Sequence, residues 1–267
     1  MKNKAIGIFD SGVGGLTVFK EIEKLLPDED IIYFGDTARV PYGNKSKSTI
    51  IKFSTESILF LLKKKVKIIV VACNTASALS LDALSGMFSV PLIGVIEAGA
   101  RKAIKATKNK KIAVVGTRST INSKSYENAI LKNEKKAKIY SKACPLFVPL
   151  VEEGILEGET TRGVVEMYLK SLKSTGADVI ILGCTHYPLL KKQIASYLKG
   201  VYIVDSATEV ALHAKEILAQ NNILKLSKNK TGKREFYVSD EPKAFMGLAR
   251  LFLKREIPLP KVVNNLQ

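Results

Sequence analysis

Two cysteines in similar surroundings are the residues of this sequence best suited to chemistry. Cys73 lies in ACNTA and Cys184 lies in GCTHY, and each follows a run rich in β-branched residues. We expect each thiol to lie where a buried strand ends and a helix begins, a position that favours the thiolate. Asn, Thr and His side chains beside the sulfurs add the polar surroundings of a reactive thiol. The alternative for either cysteine alone is a buried, inert side chain.

Acid–base partners for these thiols are also present. His186 stands two residues after Cys184, where it can hydrogen-bond the sulfur or protonate a ligand carboxylate. The segment PLVEEG brings Glu152 to the expected end of a strand, where it either partners Cys184 or belongs to a solvated helix start. Cys144 has no polar neighbour and is predicted to be a core residue, and His213 lies in an apolar helical stretch and is predicted to be packed or solvated.

A glycine-rich loop, DSGVGGL, follows the first predicted strand. It does not match a dinucleotide fingerprint, because Thr17 stands where the third glycine belongs and Asp10 would face the pyrophosphate, although Asp36 mimics the ribose-binding acid. We interpret the loop as a tight turn that brings backbone N–H groups and the Ser11 hydroxyl to a small ligand. Asp10 would then contact an ammonium or accept a proton.

Further ligand contacts are predicted in VPYG, from Tyr42 and the Gly43 amide.

Metal binding is the rival interpretation of the thiols, since Cys73, Cys184 and His186 would supply three ligands. Only a C-x-H pair is local, and an obvious fourth ligand is lacking. We therefore predict no metal site.

Composition indicates a globular protein of one large or two small domains. The chain has 267 residues, of which 46% are hydrophobic and 25% charged. No apolar run approaches the roughly 18–20 residues that span a bilayer, and the N-terminus does not resemble a signal peptide. Three widely spaced cysteines do not form a disulfide framework. We expect a cytoplasmic protein with free thiols and no membrane partner.

The charge balance is strongly basic, at +17. Nucleic-acid binding is the alternative function that this suggests. However, 35 of the 42 basic residues are lysines strewn over apparent helix faces and loops, whereas arginine is preferred for phosphate and base recognition. We expect a solvated basic surface and no nucleic-acid partner.

Apolar runs alternate with segments of helical spacing along most of the chain. Eight runs are predicted to be strands: Ala5–Asp10, Ile31–Asp36, Lys67–Cys73, Pro91–Val95, Lys111–Gly116, Lys138–Cys144, Asp178–Gly183 and Val201–Asp205. This pattern predicts an α/β fold with mostly parallel sheets flanked by helices. Ligands of such sheets bind at the carboxyl ends of the strands.

The sequence also repeats itself. Residues 5–10 match residues 112–117, residues 40–43 match 148–151, and residues 67–75 match 178–186, at offsets of 107, 108 and 111. We infer a duplicated unit in which Cys73 and Cys184 are equivalent. Two pseudo-symmetric lobes are predicted, residues 1–97 plus 207–267 and residues 98–206, with the active site in the cleft between them. The tail from residue 207 onward, including a strand in EFYVSD, is too small for its own core and should pack on the first lobe.

Two thiols on opposite sides of one small substrate can remove a proton from one face of a carbon and deliver a proton to the other face. That reaction is a racemisation. DSGVGGL, GDTARVPYG, ACNTA, PLVEEG and GCTHYPLL, in this order and at these spacings, resemble the glutamate racemases of the aspartate/glutamate racemase superfamily. The resemblance covers essentially the whole chain. Related aspartate racemases typically carry an acidic residue in place of His186, so CTH favours glutamate over aspartate.

The resemblance implies a role for each candidate residue. Cys73 and Cys184 would be the catalytic acid–base pair, with Asp10 assisting the first thiol and Glu152 and His186 the second. The residues implied to bind glutamate are Asp10, Ser11, Tyr42, Gly43, Asn74, Thr75, Thr185 and His186. No cofactor is implied, pyridoxal phosphate included.

The resemblance also implies biological context. The product, D-glutamate, would supply peptidoglycan synthesis and so cell-wall biogenesis and cell shape, and the enzyme would be a homodimer. Some relatives carry an N-terminal extension linked to activation by a cell-wall precursor. Because the first predicted strand begins at Ala5, we expect no such requirement here.

Overall fold

The structure, a computed structural model, describes residues 1–226 and 231–264. Its strands are β1 Ile6–Asp10, β2 Ile31–Gly35, β3 Ile68–Val71, β4 Leu92–Gly94, β5 Lys111–Gly116, β6 Lys138–Ala143, β7 Val179–Gly183, β8 Tyr202–Asp205, β9 Arg234–Val238 and β10 Lys261–Val262. Its helices are α1 Leu16–Leu25, α2 Lys47–Lys63, α3 Asn74–Leu84, α4 Val95–Ala106, α5 Arg118–Asn122, α6 Ser125–Asn133, α7 Phe147–Glu152, α8 Glu159–Lys173, α9 Lys191–Tyr197, α10 Ser206–Gln220 and α11 Pro242–Leu253.

All eight predicted strands form, with ends that differ by at most two residues, and the strand expected in EFYVSD forms as β9, which begins one residue before that segment, at Arg234. The strands β1, β2, β3, β5 and β7 carry apolar side chains on both faces, which suits strands covered by helices on both sides. The short strand β10 was not predicted, because two residues carry no recognisable period. The predicted α/β class is therefore confirmed.

Within the described part of the chain, the strands form two sheets in which every pairing is parallel. The first has the order β10-β9-β2-β1-β3-β4 and the second the order β6-β5-β7-β8. The order β2-β1-β3-β4 thus recurs as β6-β5-β7-β8, which is the duplication expected from the sequence repeat. Strands β3 and β7, which lead to Cys73 and Cys184, occupy equivalent positions.

The chain passes from the first sheet to the second between β4 and β5 and returns between β8 and β9. Helix α10 packs against α1, β9 pairs with β2, and α11 packs against α1, so the described part of the tail lies mainly on the first sheet, although α10 also packs against α4. The lobe boundaries, residues 1–97 plus 207–267 and residues 98–206, remain a prediction. Residues 227–230 and 265–267 of that division lie outside the described residues.

Among the residues that the structure describes, buried apolar side chains form three clusters. One runs from the α1, α10 and α11 side of the first sheet to the α7, α8 and α9 side of the second. The others fill the space between the first sheet and α2 and α3, and between the second sheet and α4 and α6. Every sheet face is therefore covered, and the carboxyl ends of the strands are left to line a cleft. In the two described ranges, no helix is both long and apolar enough to cross a bilayer.

Candidate active site

A cavity of about 520 Å³ lies at the carboxyl ends of both sheets. The first lobe lines it with the segments that follow β1, β2 and β3, and the second with those that follow β5, β6 and β7. Cys73 and Cys184 both line this cavity. Its volume lies in the range of about 300–1,000 Å³ typical of small-molecule sites. The structure thus places one thiol from each half of the repeat at a single ligand-sized space.

Cys73 lies directly before α3 and is only 5% exposed. Its thiol donates a long hydrogen bond to Ser11 Oγ, at 3.6 Å. Burial and the nearby Asp10 carboxyl raise the pKa of Cys73 to about 12. Desolvation thus outweighs the helix N-terminus, which on its own favours the thiolate, and Cys73 carries its proton at neutral pH.

Cys184 follows β7, but no α-helix begins there. The chain first makes a 3-10 turn over Tyr187–Leu190, and α9 begins only at Lys191. Pro188 lacks an N–H group and is accommodated at the first positions of this turn, where that group would have no intrahelical partner. The polar partner of Cys184 is a side chain instead, His186, whose Nδ1 lies 3.9 Å from the sulfur.

His186 joins Cys184 to Glu152 in one polar chain. The imidazole is buried, and its Nε2 lies 3.0 Å from Glu152 Oε1. Burial lowers the pKa of His186, but the hydrogen bonds to Cys184 and Glu152 outweigh it and raise the pKa to about 10. Glu152 is the last residue of helix α7, not a strand end or a helix start as expected. The imidazole is therefore a cation at neutral pH, held between a sulfur and a carboxylate.

This protonation state is directly measurable, because the sequence contains only two histidines. We expect the imidazole NMR signals of His186 to titrate near pH 10 and those of His213, whose pKa burial lowers, to titrate below 6.5. The raised pKa also stabilises the fold: the contribution of His186 is fully present below about pH 6.5 and is lost as the pH rises through about 10. Replacing His213 by Gln assigns the signals. Titration of His186 near pH 6.5 would contradict the ion pair.

Asp10 is completely buried and is absent from the cavity lining. Its Oδ2 accepts a hydrogen bond from the Gly12 N–H at 2.9 Å, while Oδ1 has no partner among the described residues. Burial raises the pKa of Asp10, against the favourable charge of His186. The Asp10 carboxyl is therefore close enough to influence Cys73 and His186 but is not exposed to the cavity.

The loop after β2 is held in place by Asp36. The Tyr42 hydroxyl and the Arg39 guanidinium both donate to Asp36 Oδ2, and the Ser239 hydroxyl donates to Oδ1 at 2.9 Å. Gly43 packs closely on the second lobe, since a Cβ there would lie 2.8 Å from Thr117 Cβ. The acid that resembled a ribose ligand in the sequence thus anchors the Tyr42 ring at the cavity wall.

The remaining predicted ligand-binding residues all line the same cavity: Ser11, Tyr42, Gly43, Asn74, Thr75, Thr185 and His186. The Thr75 hydroxyl lies 2.9 Å from Thr117 Oγ1 and 3.2 Å from Thr120 Oγ1, and so connects the two lobes. Thr117 and Arg118 line the cavity too and were missed in the sequence. The repeat contains the signal for Thr117, because that residue is the counterpart of Asp10 at an offset of 107.

A glycine of the first loop sets the position of His186. A Cβ on Gly14 would collide with Thr185 Oγ1 and lie 2.6 Å from two His186 ring atoms. We expect Gly14→Ala to displace the imidazole and to lower kcat/KM about 10²-fold for the racemisation that the sequence resemblance implies, measured by circular dichroism. Gly163→Ala is the control, because a Cβ on Gly163 meets no atom within 4 Å. Equal activity of both variants would contradict this role.

Within residues 1–226 and 231–264, no three His, Cys, Asp or Glu side chains are grouped closely enough to hold a metal ion. The donor set at the cavity is a pair of buried thiols, an imidazolium and a carboxylate. Two thiols that can exchange protons with one bound molecule are suited to acid–base chemistry on two faces of a carbon.

Comparison with known proteins gives a consistent result. Residues 6–214 match the family model of the Asp/Glu/Hydantoin racemases. A glutamate racemase from Sulfurihydrogenibium sp. is 50% identical over 249 residues, covering 93% of each chain. The crystal structure of the Francisella tularensis glutamate racemase in complex with D-glutamate has a TM-score of 0.93 at 38% identity, covering 100% of this chain and 99% of that one. A glutamate racemase isoform from Bacillus anthracis has a TM-score of 0.94 at 41% identity, covering 99% of each. The chain thus belongs to the Asp/Glu/Hydantoin racemase family, and within that family it is similar to glutamate racemases.

Proposed function

We propose that the protein interconverts L- and D-glutamate by proton transfer between the substrate and two thiols. The observation that carries the proposal is that Cys73 and Cys184 line one cavity from the two halves of a duplicated fold. The relatives with about half of their residues identical are glutamate racemases, which supports glutamate as the substrate. Aspartate is the competing substrate, and His186 favours glutamate.

The reaction requires two proton transfers. One sulfur, as the thiolate, takes the proton from Cα, and the other, as the thiol, gives its proton to the opposite face of the resulting carbanion. The protonation states of Cys73 and Cys184 are then exchanged, and the reverse reaction uses them in the opposite roles. Cys73 carries its proton at neutral pH, since its pKa is about 12. The cationic His186 beside Cys184 stabilises negative charge on that sulfur.

The other residues would bind glutamate or assist the thiols. Hydroxyl groups and amides of Ser11, Tyr42, Gly43, Asn74 and Thr75, together with Thr185 and His186, line the cavity and suit the two carboxylates and the ammonium. Glu152 holds His186 in its cationic form. The sequence led us to expect direct contact between Asp10 and the substrate. Because the Asp10 carboxyl is fully buried, we propose instead that it acts on Cys73 through its charge, which raises the proton affinity of the sulfur.

The biological context is part of the proposal. We propose that D-glutamate from this reaction supplies peptidoglycan synthesis in the cytoplasm, that the enzyme works as a homodimer, and that the chemistry needs neither a metal nor an organic cofactor. These statements are supported by membership of the glutamate racemase branch, and each has its own measurement: complementation of a D-glutamate auxotroph, sedimentation, and activity after treatment with a chelator.

The decisive assay follows each enantiomer of glutamate separately by circular dichroism in H₂O and by mass in D₂O. We expect racemisation from both sides, with one deuterium gained at Cα in each molecule of antipode, and no loss of rate after chelation. Aspartate at the same concentration serves as the control substrate. Faster turnover of aspartate would overturn the choice of substrate, and conversion without deuterium gain would overturn proton transfer to solvent-exchanging thiols.

A further inference from the structure

Tyr126 is a buried phenol outside the cavity lining that lies against the neighbours of both thiols. It belongs to helix α6 of the second sheet's lobe and is 2% exposed. Asn74, which directly follows Cys73, donates from Nδ2 to the Tyr126 hydroxyl at 2.8 Å. A Cβ on Gly183, which directly precedes Cys184, would lie 2.9 Å from Tyr126 Cε2. One side chain thus contacts the residue next to each sulfur.

The same phenol also contacts both helices through which the chain passes between the sheets. Its hydroxyl lies 3.2 Å from Ser206 Oγ, at the start of α10. A Cβ on Gly99, within α4, would lie 3.2 Å from Tyr126 Cε1. The absence of side chains at Gly99 and Gly183 therefore lets the ring lie between the two crossing points and the end of β7.

The surroundings leave little room for other arrangements. The void that adjoins Asn74, Cys184 and Ser206 holds about 10 Å³, at the lower limit for one water molecule. Asn74 is itself only 4% exposed, and its Nδ2 donates to the Tyr126 hydroxyl. Burial keeps the pKa of the Tyr126 phenol above its usual value, and the group acts as a neutral hydrogen-bonding residue. The Tyr126 hydroxyl is thus the partner that fixes the Asn74 amide.

We propose that Tyr126 is a positioning residue for racemisation. It holds the Asn74 amide at the cavity edge beside Cys73 and keeps that amide at a fixed position relative to the end of β7, which Cys184 follows. The inference rests on the proposed function, because it concerns the binding of glutamate at that cavity. It assigns to Tyr126 no contact with substrate and no proton transfer. Its effect passes through Asn74.

The test is a double-mutant cycle of Tyr126→Phe and Asn74→Ala. Phe keeps the ring against Gly99 and Gly183 and removes only the hydroxyl. We expect Tyr126→Phe to lower kcat/KM about tenfold, mainly by raising KM. The factor must be equal for both enantiomers, because L- and D-glutamate have equal free energies. In the Asn74→Ala background the same substitution should cost less than twofold, since the group it positions is already absent.

Two further measurements separate positioning from a general loss of structure. Tyr140→Phe, on the half-buried strand β6 outside the cavity, should leave kcat/KM unchanged. Glutamate binding should raise the melting temperature less in Tyr126→Phe than in the unsubstituted protein. The increase should be the same in Asn74→Ala and in the double variant Asn74→Ala/Tyr126→Phe. Independent, multiplying effects of the two substitutions would overturn the inference while leaving the proposed function intact. Absence of glutamate racemisation by the unsubstituted protein would overturn both.

Discussion

Replacement of Cys73 or Cys184 by serine should abolish measurable interconversion of the glutamate enantiomers. A serine hydroxyl is a far weaker acid than a thiol and cannot supply the base, so each substitution removes one of two required proton transfers. We expect kcat to fall at least 10²–10⁴-fold, roughly the range that positioned acid–base groups contribute. Circular dichroism started from each pure enantiomer measures this loss in both directions.

Deuterium exchange distinguishes this two-thiol scheme from a single-base mechanism. With only one thiol left, a proton removed from Cα can return only to the face it came from. Any exchange that remains should therefore be confined to one enantiomer, and the Cys73→Ser and Cys184→Ser variants should exchange opposite ones. Full activity in either variant, or exchange of the same enantiomer by both, would contradict the scheme.

The third cysteine supplies the matched control. Cys144 is also buried, its pKa is also raised to about 12 by burial, and it does not line the cavity. Cys144→Ala should keep the activity of the unsubstituted protein. If Cys144→Ala lost activity to the same degree, the effect of the other two substitutions would reflect packing and not chemistry.

The residues of the site could be predicted from the sequence because they follow strand ends, and strand ends are set by local apolar periodicity. Parallel strands bring all their carboxyl ends to one edge, so the motifs after β1, β2 and β3 meet without further information. The repeat then superimposes Cys184 on Cys73. Both inferences need only the order and the spacing of the predicted strands and motifs, which can be read directly from the sequence.

Features that depend on three-dimensional burial could not be predicted in the same way. The sequence places a helix after Cys73 and so favours a thiolate, yet the structure buries the thiol and raises its pKa to about 12. Asp10 was expected in contact with substrate, and nothing in the sequence indicated that its carboxyl is completely buried and absent from the cavity lining. Desolvation depends on which residues pack around a group, and that packing comes from segments far apart in the chain. The role of Tyr126 could not be predicted for the same reason, since its partners lie 27 to 80 residues away in the sequence.

A buried ion pair at the opposite end of the first sheet is the other feature that only the structure reveals. Lys67, just before β3, is 2% exposed, and its Nζ lies 2.5 Å from Glu29 Oε2. The same ammonium donates to the backbone carbonyls of Lys2 and Ile223, at 2.9 and 2.8 Å. Glu29 in turn accepts the Lys225 backbone N–H at 2.8 Å. Four chain segments are therefore joined through one pair of charges.

Lys67→Met should lower the free energy of unfolding by about 3–5 kcal/mol, because it leaves the Glu29 carboxylate buried without its cation. Burial already lowers the pKa of Lys67, which shows that desolvation of the ammonium opposes the gain from its partners. The double variant Lys67→Met/Glu29→Gln should recover much of the loss, since the amide is uncharged and still accepts the Lys225 N–H. Urea unfolding at pH 7 measures all three proteins.

An exposed ion pair of the second sheet's lobe is the control, because it tests whether burial of the charges is what makes the Lys67 substitution costly. Lys110 and Glu134 form a 2.9 Å contact, with 47% and 24% of their side chains exposed. Lys110→Met should change the free energy of unfolding by less than about 1 kcal/mol, because water already solvates both charges. Equal effects of the Lys67 and Lys110 substitutions, or a double variant less stable than Lys67→Met alone, would mean that the buried carboxylate is not the source of the loss.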